Sequence, residues 1–408
     1  MDSLQPGVDV VIVGAGVAGL AVAHALRDRS VLLLERESRL GGRVLTGGAG
    51  PQRFDLGACF AFNTELLPPG APTPEARSNE RGPLGLHYRG KLTFADSAVA
   101  LLEQLPWTGA DLRSLADLRA GKLTPADTQT ELGRVLRSLF HQIHPGEIAD
   151  YSADRQAGAL VDFYPDHWAD RNGALVSAYQ RALTARLELQ SAVTRLEERP
   201  EQALVEYVQG ATRRSISARA VVVATDATAA RSLVSPTEPA CAAFLRAVRY
   251  ARYTVVAFRL EGGALDPDFR FIVTPQANMS LVMQQSPADR SSRALLAYYA
   301  DAASKFADTL DDEALIESTW RELAELGIGA LREGATKAVV QRWPISGTVL
   351  TPEYAAAKRP DFARATRRVF LAGDYLAMPP GWGYGLDDAV ASGRTTGALV
   401  QRALDSEL

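Results

Sequence analysis

The sequence predicts an α/β fold, and three observations carry that expectation. The first is an apolar run, Val8-Asp-Val-Val-Ile-Val13, that ends in Gly14-Ala15-Gly16-Val17-Ala18-Gly19 and opens into a helical stretch to Arg29. The second is another apolar run, Val31–Leu34, closed by Glu35. The third lies at the far end of the chain, where Val369-Phe-Leu-Ala372 runs into Gly373-Asp374 and then a final helical segment. Strand, Gly-x-Gly-x-x-Gly and helix in that order form the βα turn of a Rossmann-like dinucleotide-binding unit. Gly14 allows the tight turn, Gly16 lets backbone N–H groups reach a pyrophosphate, and Gly19 lets the helix lie close on the sheet. The helix N-terminus then offers free donors and a partial positive charge to the diphosphate. Glu35 stands where a carboxylate accepts both ribose hydroxyls. An acid there favours an unphosphorylated adenosine ribose, because it would repel a 2′-phosphate.

Composition narrows the class. With 408 residues, 47% of them hydrophobic, the chain can bury a large core and form about two domains. A net charge of −4 gives no sign of a nucleic-acid partner. The two cysteines, Cys59 and Cys241, supply neither a disulfide framework nor metal spacing and suit a reducing cytoplasm. None of the five histidines sits in a close ligand pattern, so no metal site is expected; His141 and His144 read as surface or helix-end residues. The residues before the first strand lack a basic start and an apolar stretch, so no signal peptide is expected, and no apolar run reaches the roughly 18 residues of a membrane span.

The stretch after the ribose acid separates flavin from nicotinamide. Glu35-Arg36-Glu-Ser-Arg39-Leu-Gly41-Gly42-Arg43-Val-Leu-Thr46 resembles the Arg-x-Gly-Gly-Arg signature of the flavin-containing amine oxidase superfamily. Protoporphyrinogen oxidases and carotenoid desaturases are relatives in that superfamily. Phe54-Asp55-Leu-Gly57-Ala58 resembles its Asp-x-Gly-Ala element. The order helix (172–183), strand (191–196, with Val193 toward the adenine), strand (203–208) and Ala220–Thr225 resembles its second flavin segment. Asp226 stands where that segment usually has proline. Val369–Tyr375 with Gly381–Arg394 resembles the closing signature, in which the acid (Asp374) bonds a ribityl hydroxyl and a helix N-terminus faces the flavin N1–C2=O edge.

The resemblance implies noncovalent FAD, since the loop that carries a cysteine in covalent members has Ala377-Met378 here. The implied FAD residues are Gly14, Ala15, Gly16, Ala18, Gly19, Glu35, Arg36, Gly42, Arg43, Gly57, Ala58, Val193, Gly373, Asp374 and Leu386. It also implies a discontinuous architecture. Residues 1–60, 171–236 and 365–408 form the Rossmann-like FAD-binding domain. Residues 61–170 form the helical part and 237–364 the sheet part of an α+β substrate domain. Residues 63–83, rich in Pro, Gly and Glu, read as an exposed loop, and 97–145 as helices. Within 240–345 the sequence shows several strands and one helix, from about Asp311 to Leu326, followed by Gly327.

Three aromatics are the candidate catalytic residues. Trp382 and Tyr384 stand where the superfamily often places rings beside the flavin, against the alternative of a packing loop. Trp343, in Arg342-Trp343-Pro344, resembles an element that ends a substrate-domain strand near the flavin, although an isolated tryptophan is more often core. Asp387 and Asp388 read as a capping pair, one of which could instead attract an ammonium group. The lysine that many amine oxidases carry near flavin N5 has no counterpart in Tyr250–Val256, and Lys337 is a conjectural substitute.

The leading expectation is an FAD-dependent oxidoreductase that moves a hydride from an amine C–N bond of a small molecule to flavin N5, with reoxidation by O₂ or another acceptor. A C–C desaturase is the close alternative, and a non-redox flavoprotein or binding protein on the same fold is the alternative of another class. Substrate identity and oligomeric state are left open.

Overall fold

The computed structural model describes residues 3–48, 53–59, 64–73, 76–77, 82–119, 124, 130–141, 144–152, 156, 167–168, 172–261, 269–285, 292–376 and 385–406. Two seven-stranded sheets organise them. In the nucleotide sheet the first strand, Ser3–Val13, runs parallel to Val31–Leu34 on one side and to Thr212–Val223 on the other. Arg186–Glu188 closes one edge beside Leu32–Leu34. The long strand Thr212–Val223 has a divided second edge. Its first half pairs antiparallel with Ala203–Gln209, and its last three residues pair parallel with Val369–Leu371. Strands buried on both faces read as continuous apolar runs, and Val10–Val13, Val31–Leu34 and Ala220–Val223 are of that kind.

Helices cover both faces. Val17–Ala25, Gly173–Arg181 and the final helix Leu386–Asp405 pack on one side. Ala227–Leu233 and Pro239–Ala247 pack on the other, with Tyr354, Phe362 and Tyr375. The first and last helices approach so closely that a Cβ on Gly393 would lie 2.3 Å from the Ala18 carbonyl oxygen. At Gly397 a Cβ would meet Ala25 Cβ at 2.5 Å. This contact docks the C-terminal segment onto the first βα unit.

The second sheet runs, edge to edge, Ala335–Trp343, Tyr253–Glu261, Ser292–Ala300, Leu281–Gln285, Phe271–Val273, Leu84–Tyr88 and Lys91–Ala95. Helices Ala98–Glu103 and Glu131–Phe140 cover one face, and Asp312–Glu325 covers the other. Asp311 caps that last helix by accepting the Ala314 N–H at 2.8 Å.

Three expectations need correction. Residues 61–170 are not purely helical, because the hairpin Leu84–Ala95 joins the substrate sheet, its Leu84–Leu86 pairing parallel with Phe271–Val273. The stretch 63–83 is not an exposed loop throughout. Leu66 and Leu67 are buried, and their carbonyls accept from Arg394, with Tyr179 also donating to Leu66. Within 240–345 the helix Asp312–Glu325 is joined by two shorter ones, Pro239–Ala247 and Ala302–Ala307.

The Gly393 contact gives a direct stability test. Gly393→Leu should cost about 1–3 kcal/mol, or more, because the added carbons have only the first helix's backbone to push against. Ala391→Leu, at an exposed position of the same helix, should stay within about 0.5 kcal/mol. Urea unfolding of both variants measures the difference.

Candidate active site

The first strand delivers the chain to Gly14, whose φ of 99° is the left-handed region that glycine tolerates. Its N–H donates to the Leu34 carbonyl at 2.8 Å, which fixes the turn against the second strand. Gly16 caps the first helix without a side-chain bond, so the leading N–H groups stay available. A Cβ on Gly16 would find its nearest neighbour, Gly42 Cα, only at 4.0 Å, so the backbone borders open space. The Arg39–Arg43 loop lies beside this turn, with Gly41 N–H donating to Ala15 O at 2.9 Å. Arg39 shapes the loop from within by donating to the carbonyls of Leu40, Gly42 and Val44.

Glu35 is 7% exposed and holds two backbone groups. One oxygen accepts the Ala15 N–H at 2.7 Å and the other the Glu37 N–H at 2.9 Å. Each oxygen keeps a lone pair for a ribose hydroxyl. Val193 lines the same groove from its strand, and Ser191 N–H ties that strand to the Glu35 carbonyl at 2.7 Å. Arg36 also borders the groove, but its side chain is 70% exposed and pairs with Glu37.

Farther along, Arg43 and Asp374 bind each other through a fork, with Nη2 to Oδ1 at 2.8 Å and Nη1 to Oδ2 at 3.1 Å. Thr348 Oγ1 also donates to Asp374 at 3.0 Å, and Arg43 donates to the Ser346 carbonyl and lies over the Tyr250 ring. Burial alone would lower the Arg43 pKa. Attraction and hydrogen bonding from Asp374 outweigh it and hold the guanidinium above its ordinary value. Asp374 therefore spends most of its acceptor capacity inside the protein. Gly57 and Ala58 come back beside Arg43, with Ala58 N–H donating to its carbonyl at 3.0 Å. Asp226, in the usual proline position, caps the helix Ala227–Leu233 through Ala229 N–H at 2.9 Å. Asp388 accepts the Gly385 N–H at 3.1 Å, which bears out the capping reading for one of the pair. Asp387 faces the cavity, and burial, then the neighbouring Asp388 charge, pushes its carboxyl up to about 6.

One cavity of about 940 Å³ joins all of this to the substrate sheet. It passes Gly14, Gly16–Ala18, Glu35, Arg43, Gly373–Asp374 and Leu386. It ends among Tyr253, Val255, Phe271, Leu281, Met283, Tyr298 and Trp343. Trp343 and Tyr253 are register partners at the strand ends that meet the nucleotide domain, and Trp343 Nε1 donates to Leu56 O at 2.7 Å. Burial, reinforced by neighbouring Cys59, raises the Tyr298 phenol well above its usual value. The structure thus brings Trp343 to the cavity. Trp382 and Tyr384 lie outside the described residues. Lys337 is exposed and does not line the cavity, so it is no substitute for the missing lysine. His141 ends its helix as expected but also lines the cavity, whereas His144 is buried and stacked on Phe140.

Sequence reasoning missed the wall formed by Tyr253, Phe271, Met283 and Tyr298. The alternation of Tyr253 with Val255 and of Leu281 with Met283 signals a shared face. It carries no sign that the face borders a cavity.

Comparison with known proteins agrees with this geometry. The model of the flavin containing amine oxidoreductase family matches residues 120–400, and that of an NAD(P)-binding Rossmann-like domain matches residues 12–65. The chain belongs to the flavin containing amine oxidoreductase family. A Mycobacterium tuberculosis protein named as a flavin-containing monoamine oxidase, AofH, is 29% identical over 233 residues, covering 47% of this chain and 51% of AofH. The chain thus spans about half the length of the curated relatives it matches. Cyclohexylamine oxidase from Brevibacterium oxydans superposes with a TM-score of 0.76 at 18% identity, over 98% of this chain and all of that one. A protein from Exiguobacterium titled as a protoporphyrinogen oxidase gives 0.72 at 16%, over 99% and 100%. These two structures establish the shared fold.

FAD is the cofactor, and the groove fits it. The uncapped helix start, the open backbone at Gly16 and the buried Glu35 form a donor and acceptor set for a diphosphate and a ribose. Glu35→Ala should weaken FAD binding by about 1–3 kcal/mol. It should also lower the melting temperature of the FAD-free protein, because the Ala15 and Glu37 N–H groups lose their acceptor. Fluorescence titration of released FAD and a thermal melt check the two effects.

Proposed function

We propose that this protein is an FAD-dependent oxidoreductase that oxidises the C–N bond of a small amine. The observation that carries the reading is the aromatic end of the cavity, where Tyr253, Phe271, Tyr298 and Trp343 stand in one space with the nucleotide groove. When bound, FAD supplies a hydride acceptor at N5, which O₂ or another oxidant later restores. The chain's own residues have three tasks. Glu35 and the Gly14–Gly19 turn anchor the adenosine diphosphate end. The Arg43–Asp374 pair and the start of the final helix set the position of the reactive ring. The aromatic walls exclude water and favour a neutral amine over its ammonium form. Binding is noncovalent, given Ala377-Met378 in place of a cysteine.

Desaturation of a C–C bond is the second reading. It is favoured by Gly373-Asp374-Tyr375 and by the absence of lysine among the described residues that line the cavity. Anaerobic mixing with amines, amino acids, polyenes and porphyrinogens distinguishes the two. Amines should bleach the flavin and polyenes should leave it yellow; the reverse result would replace the first reading with the second. Trp343→Ala should keep its FAD yet slow bleaching by on the order of 10²-fold, since misplacing the reacting carbon by about 1 Å is that costly. Unchanged bleaching with a lower melting temperature would make Trp343 a packing residue.

A further inference from the structure

Four rings stand at the end of the cavity that meets the substrate sheet, and their polar atoms are committed differently. Phe271 has none. Trp343 Nε1 donates to the Leu56 carbonyl at 2.7 Å, and the Tyr253 hydroxyl donates to the His144 carbonyl at 3.3 Å. Tyr298 is 8% exposed and lines the same space, yet its hydroxyl has no hydrogen-bond partner among the described residues. The Cys59 thiol stands beside it, but sulfur is a weak partner for an O–H group. A buried hydroxyl without a good acceptor costs stability, and native proteins keep few of them.

The ring itself is firmly placed. Tyr298 lies on the strand Ser292–Ala300 with Val255 and Leu281 as its register partners on either side. Its ring meets that of Tyr253 edge to face, with centroids 6.4 Å apart and planes at 81°. The surroundings keep the proton on the oxygen. Burial raises the phenol well above its usual value, and Cys59, Asp55 and Tyr253 all push in the same direction. Asp55 is engaged with Thr46 Oγ1 at 2.5 Å and the Asn172 N–H at 3.3 Å, and it does not line the cavity. The described residues of the substrate sheet that do line it include no carboxylate, and their one cation, Arg342, is paired with Asp308 and Asp312. This wall thus offers an O–H donor on a fixed ring and no counter-charge for a cation.

An ammonium ion has only N–H donors to present and would leave that O–H unanswered. A neutral amine presents a lone pair. We propose that the Tyr298 hydroxyl donates to the lone pair of the substrate nitrogen, so that the cavity takes the amine as its free base and holds the nitrogen from the sheet side. The proton of R–CH₂–NH₃⁺ then passes to water before binding, with no change of oxidation state, and the cavity needs no base of its own. This rests on the amine reading above and adds to it a contact that tells nitrogen from carbon.

The test uses holoenzyme reduced with dithionite, which binds an amine without oxidising it. Calorimetry compares benzylamine with ethylbenzene, in which a methyl group replaces the amino group. Tyr298→Phe should weaken benzylamine binding about tenfold and leave ethylbenzene binding unchanged. Tyr253→Phe, which removes a hydroxyl already committed to His144, should keep the difference between the two ligands. Wild-type affinity for benzylamine should rise about tenfold per pH unit from about pH 7 to 8.5, while the amine is mostly protonated in solution. Ethylbenzene should stay level over that range, and so controls for titration of His141 and Asp387 in the same cavity. Without ligand, Tyr298→Phe should melt no lower than wild type, because the hydroxyl it loses was unanswered. Equal weakening of both ligands would make Tyr298 a packing residue, and a pH-independent affinity for benzylamine would mean that the ammonium ion binds; either result overturns the inference. If no amine bleaches oxidised wild type, the amine reading falls and takes this inference with it; if amines bleach wild type and Tyr298→Phe binds benzylamine as tightly, only this inference falls.

Discussion

The forked ion pair between Arg43 and Asp374 is the contact on which the rest of the arrangement depends. It joins residues 331 positions apart and brings three separate stretches of chain to one point. Arg43 ends the loop that lies against the first βα turn. Asp374 ends the strand that completes the nucleotide sheet. Ser346 and Thr348, which lead out of the substrate sheet, bond to the same two side chains. Asp374 is 2% exposed and the Arg43 side chain 34%, so the acid is the more deeply committed partner. Two parallel N–H···O bonds fix angle as well as distance. Removing either partner would leave a charge facing the cavity without its match.

The cavity divides into two electrical environments on either side of that pair. Toward the first helix it is lined by backbone N–H groups and Glu35, suited to a charged and hydroxylated ligand. Toward the substrate sheet it is lined by rings and aliphatic side chains, with the Tyr298 phenol raised well above its usual value by burial. A reacting group placed between them meets fixed dipoles on one side and a largely apolar wall on the other.

What could be read from the sequence follows the range of the signal. Gly14–Gly19, Glu35 and the capping acid at Asp388 are local devices, in which residue type and spacing decide the backbone within a turn or two. The family motifs at Arg43, Gly57 and Asp374 were legible as fragments, but their mutual contact was not. Asp374 looked like a ligand for the cofactor and proves to be held first by Arg43 and Thr348. Tertiary partners decide the rest. Leu66 and Leu67 sit in a stretch whose composition indicates a loop, and they are buried because Arg394 and Tyr179 bind the neighbouring carbonyls. The hairpin Leu84–Ala95 is short, and its place in the sheet comes from pairing with Phe271–Val273, nearly two hundred residues later. His141 reads as a helix end, and its place in the cavity wall comes from tertiary packing.

The split edge of the strand Thr212–Val223 has a consequence for how the chain is made. Ala203–Gln209 can cover the first half of that strand soon after synthesis, since the two are joined by a tight hairpin. The second half waits for Val369–Leu371, and the face beneath it waits for the helix Leu386–Asp405. Until Val369–Leu371 and Leu386–Asp405 have left the ribosome, Val221–Val223 and the outer side of the first helix remain uncovered apolar surface. Such surface is prone to association during the wait. Deletions that remove the helix Leu386–Asp405 should therefore be felt first as poor yield of folded protein, before any question of chemistry arises.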